Sequence, residues 1–195
     1  MEFYARDIGD KNGAEVALVD VPWASAARYV IRQANLGQAL VRGLDLEARL
    51  AGKDFAPTLA NLELSGSVGL ADSTLSDLPG PDNHIAGQSP WRAKLGGSYS
   101  FQSLPVKLGF DASYLPEDWV RSSVNQRVYE SSRRVLNLNA SWNVSKTTVL
   151  RLDLDTLLAR RKSRIDEYLE RDSIVRLSAW NTDHARIVVR FETGL

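Results

Sequence analysis

The sequence predicts an all-β protein, an antiparallel transmembrane β-barrel portion of about eight strands. Two patterns carry this expectation. Segments of about ten residues alternate apolar and polar side chains with a period of two, which is the length of a tilted membrane strand. The connections between those segments alternate short and long, as periplasmic turns and extracellular loops do in membrane barrels.

Met1 to Ile8 reads as a partial leading strand. Leu44, Leu46, Ala48 and Leu50 then share one face, opposite Asp45, Glu47 and Arg49. Leu62, Leu64, Gly66, Val68 and Leu70 form the next apolar face. In the clearest segment Trp91, Ala93, Leu95, Gly97, Tyr99 and Phe101 alternate with Arg92, Lys94, Gly96, Ser98 and Ser100. A slip of one residue would exchange the two faces, so the register is well specified. Val106, Leu108, Phe110, Ala112 and Tyr114 repeat the pattern, followed by Leu136, Leu138, Ala140, Trp142 and Val144. Leu150, Leu152 and Leu154 alternate with Arg151, Asp153 and Asp155, and Ile187, Val189, Phe191 and Leu195 close the series.

The short connections run from Ala51 to Pro57, Ser103 to Pro105 and Ser145 to Thr147. The long ones run from Gly9 to Ala26, Asp72 to Pro90, Pro116 to Arg133 and Arg160 to His184. Hairpin loops of compact soluble domains are mostly about 2–5 residues, so alternating long ones need a cause. A soluble sandwich or barrel with the apolar face as its core fits the alternation too. The aromatics near strand ends, Trp91, Tyr99, Phe101, Tyr114, Trp119 and Trp142, favour the membrane barrel, as an interfacial girdle. Thr156 to Asp172 is ambiguous, because its apolar residues also recur at helical spacing. In a soluble protein it would be an amphipathic helix on an open sheet. In a barrel it is the end of a strand running into a charged outer loop, the reading favoured by the unbroken lead-in from Leu150 to Leu154.

Composition removes several function classes. Hydrophobic residues are 44% and charged residues 25%, and no stretch approaches the roughly 20 apolar residues of a spanning helix. The formal charge is +0, from 24 basic and 24 acidic residues, which gives no electrostatic reason to expect nucleic acid. Without cysteine there are no disulfides, thiolate nucleophiles or Cys-based metal sites. The start, Met-Glu-Phe-Tyr-Ala-Arg-Asp, is not a signal peptide, so either the chain is soluble or the true beginning lies upstream of Met1. His84 and His184 fall in long loops with no third ligand or base, and no Gly-rich phosphate loop is present. No catalytic residue, metal site or cofactor is expected, and the chain is read as a non-enzyme. The run Arg160, Arg161, Lys162 with Arg164 is a weak ligand candidate, able to attract an anionic ferric chelate or lipopolysaccharide phosphates, against the plainer reading of a solvated charged loop.

Three stretches resemble the C-terminal barrel of TonB-dependent outer-membrane receptors. Asn35-Leu36-Gly37-Gln38-Ala39-Leu40-Val41-Arg42-Gly43-Leu44-Asp45-Leu46-Glu47-Ala48 is similar to the family's entry into a descending strand. Ile85 to Trp91, followed by Leu95-Gly96-Gly97-Ser98-Tyr99, resembles its passage from loop through Pro to strand. Arg186 to Leu195 resembles the closing strand, with Leu195 where the family usually has Phe.

The resemblance spans residues 1–195 and implies a partial receptor barrel domain, with the plug domain and TonB segment absent. Such receptors close about 22 strands around a plugged lumen. It implies an outer-membrane location in a Gram-negative cell. The partners implied are outer-membrane lipid, the rest of the barrel and plug, TonB through the missing N-terminal part, and a small-molecule nutrient. The intact receptor would take up a ferric siderophore or similar nutrient with energy from TonB, which this chain alone would not do. Two alternatives stay open: a complete small eight-stranded outer-membrane barrel, structural or a narrow pore, and a soluble β-rich binding protein.

Overall fold

The computed structural model describes residues 1–158, 160–169 and 173–194. Among them lie fourteen strands, which in chain order are β1 (Glu2–Ile8), β2 (Asn12–Val19), β3 (Arg28–Asn35), β4 (Ala39–Ala51), β5 (Leu62–Leu75), β6 (Trp91–Ser100), β7 (Val106–Leu115), β8 (Asp118–Ser123), β9 (Gln126–Glu130), β10 (Arg133–Asn143), β11 (Thr148–Asp155), β12 (Arg161–Leu169), β13 (Ile174–Thr182) and β14 (Arg186–Thr193). The only helical segments described are two short 3-10 turns, Gly52–Asp54 and Pro57–Leu59.

Eight strands form one sheet in the order β1-β4-β5-β6-β7-β10-β11-β14, and every pairing in it is antiparallel. These are the eight segments that the period-two alternation marks out. The sheet is not closed. β1 and β14 are its two ends, and no pairing joins them among the described residues. The expected barrel is therefore present as an open wall.

Short and long connections alternate along this wall. Residues 52–61, 101–105 and 144–147 turn tightly at one rim, and residues 9–38, 76–90, 116–132 and 156–185 leave from the other. Three of the long connections carry strands of their own. β2 pairs with β3, while β8, β9, β12 and β13 build a second sheet in the order β13-β12-β9-β8. The described residues of the Thr156 to Asp172 stretch are thus neither a helix nor an irregular loop. Thr156–Leu158 turn, and β12 follows with Ile165, Glu167 and Leu169 on one face and Arg164, Asp166 and Tyr168 on the other. Pairing with β9 on one side and β13 on the other satisfies its backbone groups, which a helix would have satisfied internally. Residues 159 and 170–172 of that stretch, and Leu195 of the closing-strand motif, lie outside the described residues.

The register keeps like faces together. Leu44 lies opposite Leu70, Leu46 opposite Val68 and Leu50 opposite Leu64, so the apolar residues of neighbouring strands share one side. Among the described residues no protein layer covers that side. Leu95 is 52% exposed, Leu70 47% and Val68 42%, and the few buried apolar side chains (Val16, Ala39, Leu75, Leu78, Val128) lie in the long connections or at the strand ends beside them. A soluble sandwich would seat a second sheet about 10 Å away on this face, and among the described residues none is there.

The turn between β4 and β5 depends on one glycine. A Cβ at Gly52 would stand 1.9 Å from the Leu59 carbonyl oxygen, because the two 3-10 turns fold back against each other. Gly52→Ala therefore forces the turn apart, and a loss of about 1–3 kcal/mol is expected. The measurement is the urea midpoint of the folded chain in detergent; an unchanged midpoint would disprove the packing argument.

Candidate functional site

The polar face of the wall carries paired charges. Arg92 of β6 reaches Asp45 of β4 at 2.8 Å, across the intervening strand β5. The residue between them is Gly69, directly opposite both. Its missing side chain makes the contact possible, since a Cβ there would lie 2.5 Å from the Asp45 carboxylate and 2.7 Å from Arg92 Nε. Further along, Arg151 meets Glu192 at 3.1 Å, Arg190 meets Asp153 at 3.5 Å, and the Arg186 Nε donates to Asp155 at 2.9 Å. Asn137 donates to Asp111 at 2.7 Å. These pairs are partly exposed and contribute little to stability individually. They give the face a mixed, mutually neutralising charge.

At the long-connection rim the second sheet is fastened by a buried carboxylate. Glu167 of β12 is fully buried. Arg127 of β9 donates to one of its oxygens at 2.5 Å, and Arg176 of β13 donates to the other through Nε at 2.8 Å and through a second nitrogen. Cross-strand pairing puts all three side by side, with Arg127 and Arg176 both opposite Glu167. Burial by itself would push the carboxyl pKa up; the hydrogen bonds from Arg127 and Arg176 outweigh it and hold it below the usual carboxylate range. The same bond from Glu167 holds Arg127 above the ordinary guanidinium value.

Arg127 also faces Asp82 at 3.6 Å and lies 4.6 Å over the Trp119 ring, which tilts against Tyr129 at 5.3 Å. The segment bearing Asp82 is thereby drawn to the second sheet. There the Arg121 amide donates to the Asp82 carbonyl at 2.7 Å, and His84 Nε2 meets Asp118 at 2.7 Å.

Two adjoining cavities open where the second sheet meets the wall. One, of about 580 Å³, is bordered by Ala86, Gly87 and Ser89 of the 76–90 connection, Val120 and Val128 of the second sheet, and Trp180 and Asn181 of β13. The other, of about 400 Å³, is bordered by Asn137, Asp155, Thr156, Asp183, His184 and Arg186. Arg133 and Lys162 border both. Arg133 is exposed and has no ion-pair partner among the described residues.

The four basic candidates are dispersed rather than gathered. Lys162 and Arg164 border the larger cavity, but Lys162 is paired with Asp183 at 2.7 Å, and Arg164 with Glu130 at 3.2 Å and Asp166 at 3.0 Å. The bond to Asp166 raises the Arg164 pKa. Arg161 alternates to the other side of β12 and stacks 4.2 Å over Trp180. Arg160 is exposed and contributes a backbone oxygen to the Asp183 amide at 3.2 Å. Sequence reasoning did not single out Arg133, Trp180, Glu167 or its arginines. The stretch from Arg161 to Leu169 carries no clean period-two alternation to mark it as a strand, and its apolar residues fall at helical spacing instead. Among the described residues no group of three His, Asp or Glu side chains is placed to hold a metal ion.

The aromatic candidates fall into two bands and one exception. Trp91 and Tyr114 are in contact at 4.9 Å at the long-connection end of β6 and β7. Tyr99 and Phe101 meet edge to face at 5.0 Å at the short-turn end, the end where exposed Trp142 also lies. Ten residues separate Trp91 from Phe101, about 34 Å of strand, or about 25 Å of height at a tilt near 45°. Trp119 is not on this face; β8 carries it into the second sheet, under Arg127.

A single-layer antiparallel sheet with one apolar and one charge-paired face, and with its long connections all on one rim, is of the β-barrel wall class. The chain belongs to the TonB-dependent receptor-like β-barrel family, whose model matches residues 6–157. No curated protein and no solved structure matches it.

Because the folded-state pKa of Glu167 is depressed, its contribution to stability is full above the unfolded value of about 4.3 and is lost as pH falls through the lower folded value. The amide protection factors of β9, β12 and β13 should therefore fall as pH drops below the usual carboxylate range, while those of β4 and β5 hold. Glu167→Ala should produce the same local loosening at neutral pH, at a cost of about 3 kcal/mol. Uniform exchange across both sheets would count against a separate lock.

Proposed function

We propose that this chain forms part of the barrel wall of an outer-membrane receptor in a Gram-negative cell. The intact protein would import a scarce nutrient, such as a ferric siderophore, with energy transmitted through TonB. The observation that carries this reading is the uncovered apolar face, bounded above and below by aromatic side chains about one apolar-band height apart. In water such a face is an aggregation surface; against lipid it needs no cover. The charged face would line a wet lumen against a plug, and the long-connection rim would face outward. The cavities flanked by Arg133 and Lys162 are then candidates for the first contact with ligand, since recognition groups commonly sit on loops held by a rigid scaffold. The free edges at β1 and β14 call for further strands, because lipid leaves no water to satisfy an unpaired backbone. This favours a portion of a larger wall over a complete small pore. Transport, with no chemical step, is the proposed role.

The test is the response to charge on each face. Leu95→Arg, on the apolar face, should cost about 2–4 kcal/mol of folding free energy in lipid bilayers, whereas Ser98→Arg, on the polar face, should cost little. The chain alone should fractionate with membranes and show no energised uptake. Equal costs on the two faces, or recovery as a monodisperse species without detergent, would refute the membrane reading.

A further inference from the structure

Two strands end the second sheet, and only one of them is guarded. β8 is six residues long and carries a register shift between Arg121 and Ser123. Its Arg121 amide donates to the Asp82 carbonyl, so the 76–90 connection lies along that edge. β13 has none of these protections. It runs for nine residues in unbroken register with β12, contains no Pro, Gly or Lys, and is exposed along its whole length. Among the described residues no strand pairs with its outer side. Proteins commonly blunt such an edge with charge, Pro, a bulge, a short strand or a cover, because its bare N–H and C=O groups are a template for another strand.

The side chains of β13 fall into two unlike rows. Val175, Leu177 and Ala179 make an apolar row, with Leu177 56% exposed. Arg176, Ser178 and Trp180 make the other, and Arg161 of β12 lies 4.2 Å over the Trp180 ring. On this second face Glu167 is the one carboxylate among the residues of β12 and β13. It is fully buried and divided between Arg127 and Arg176. The surface from Arg176 to Arg161 is therefore left cationic beside the open edge.

We propose that β13 is a docking edge for an extended, acidic peptide segment of another polypeptide, which adds antiparallel as the fifth strand of the second sheet. Its apolar residues lie beside Val175, Leu177 and Ala179, and its carboxylates beside Arg176 and Trp180. Main-chain hydrogen bonds at the usual interstrand spacing of about 4.8 Å supply the affinity, and the two rows of side chains supply the selectivity. A basic strand would set like charge against Arg161 and Arg176. A second copy of this chain fits the edge less well for the same reason, since it brings its own Arg161 and Arg176 to that face. The edges of β1 and β14 lie in the wall itself, where further wall strands are the expected neighbours.

The experiment is fluorescence anisotropy of labelled nine-residue peptides titrated with the full chain in detergent, the fold of each variant being checked by circular dichroism. A peptide alternating Val and Glu is expected to bind one per chain, at least about tenfold more tightly than one alternating Val and Lys. Alternate N–H groups of a strand point to the same edge, so N-methylation at every Val or at every Glu should abolish binding in one case and spare it in the other. Leu177→Lys should weaken binding at least about tenfold, and Arg161→Glu should erase the preference between the two peptides. Val124→Lys, at the exposed turn between β8 and β9, should leave binding unchanged. Equal binding of the two parent peptides, binding that survives both methylations, or no binding of any peptide would overturn the proposal. Self-association of the parent chain that Leu177→Lys removes would overturn it too, by giving the edge to a second copy.

Discussion

In an extended strand the side chains alternate, so pairing register and face identity are the same choice. The register of β4 on β5 runs unbroken from Ala39 opposite Leu75 to Ala51 opposite Glu63. Displacing it by one residue would bring Glu47 and Arg49 to the apolar side and turn Leu46 and Leu50 toward the charges. Each neighbouring pair repeats this constraint, and together they divide the wall into two faces that want different surroundings. Antiparallel pairing of sequence neighbours adds the second consequence. Successive connections must leave from opposite rims, so everything long collects at one end.

That collection creates a local problem, which Glu167 and its arginines resolve. The hairpins β8–β9 and β12–β13 leave the wall at different places, and each alone is too small to bury an apolar face. Joined through β9 and β12 they become a four-stranded sheet. At its centre a carboxylate with no exposure sits between two guanidinium groups. An ion pair in such a place is poor evidence of net stability, because desolvation offsets much of the attraction. Its value is positional: only one alignment of β9, β12 and β13 satisfies both oxygens. Asp82 extends the same charge cluster to the 76–90 connection, so three separate connections share one anchor.

What was legible in the sequence follows from this division. Leu62 to Leu70 and Trp91 to Phe101 announce themselves because one face of each is uniformly apolar. Asp155 to Arg186 did not, for a physical reason. In β12 both faces are partly covered, so Arg164 and Ile165, or Glu167 and Tyr168, stand next to each other without a clean alternation. The pairing that decides the matter is non-local, as in Arg164 opposite Glu130 and Ile165 opposite Tyr129. Trp119 lies in β8 of the second sheet, and in the sequence an aromatic after a strand reads alike whether it ends at a rim or begins another strand. The dispersal of Arg161, Lys162 and Arg164 to two faces was implicit in their spacing, but only once the stretch was known to be a strand.

Gly69 shows how the two levels of the fold are coupled. Viewed locally it weakens a strand, since it contributes no side chain to pack and raises the entropy lost on folding. Viewed across three strands it is the gap through which Arg92 reaches Asp45. The contact links strands that do not pair with each other, and so opposes shear of β4 past β6 in a way that no backbone ladder does. A flat soluble sheet, packed on both sides, would gain little from such a brace. A wall one layer thick has no second sheet to resist that motion and must find the stiffness within its own face.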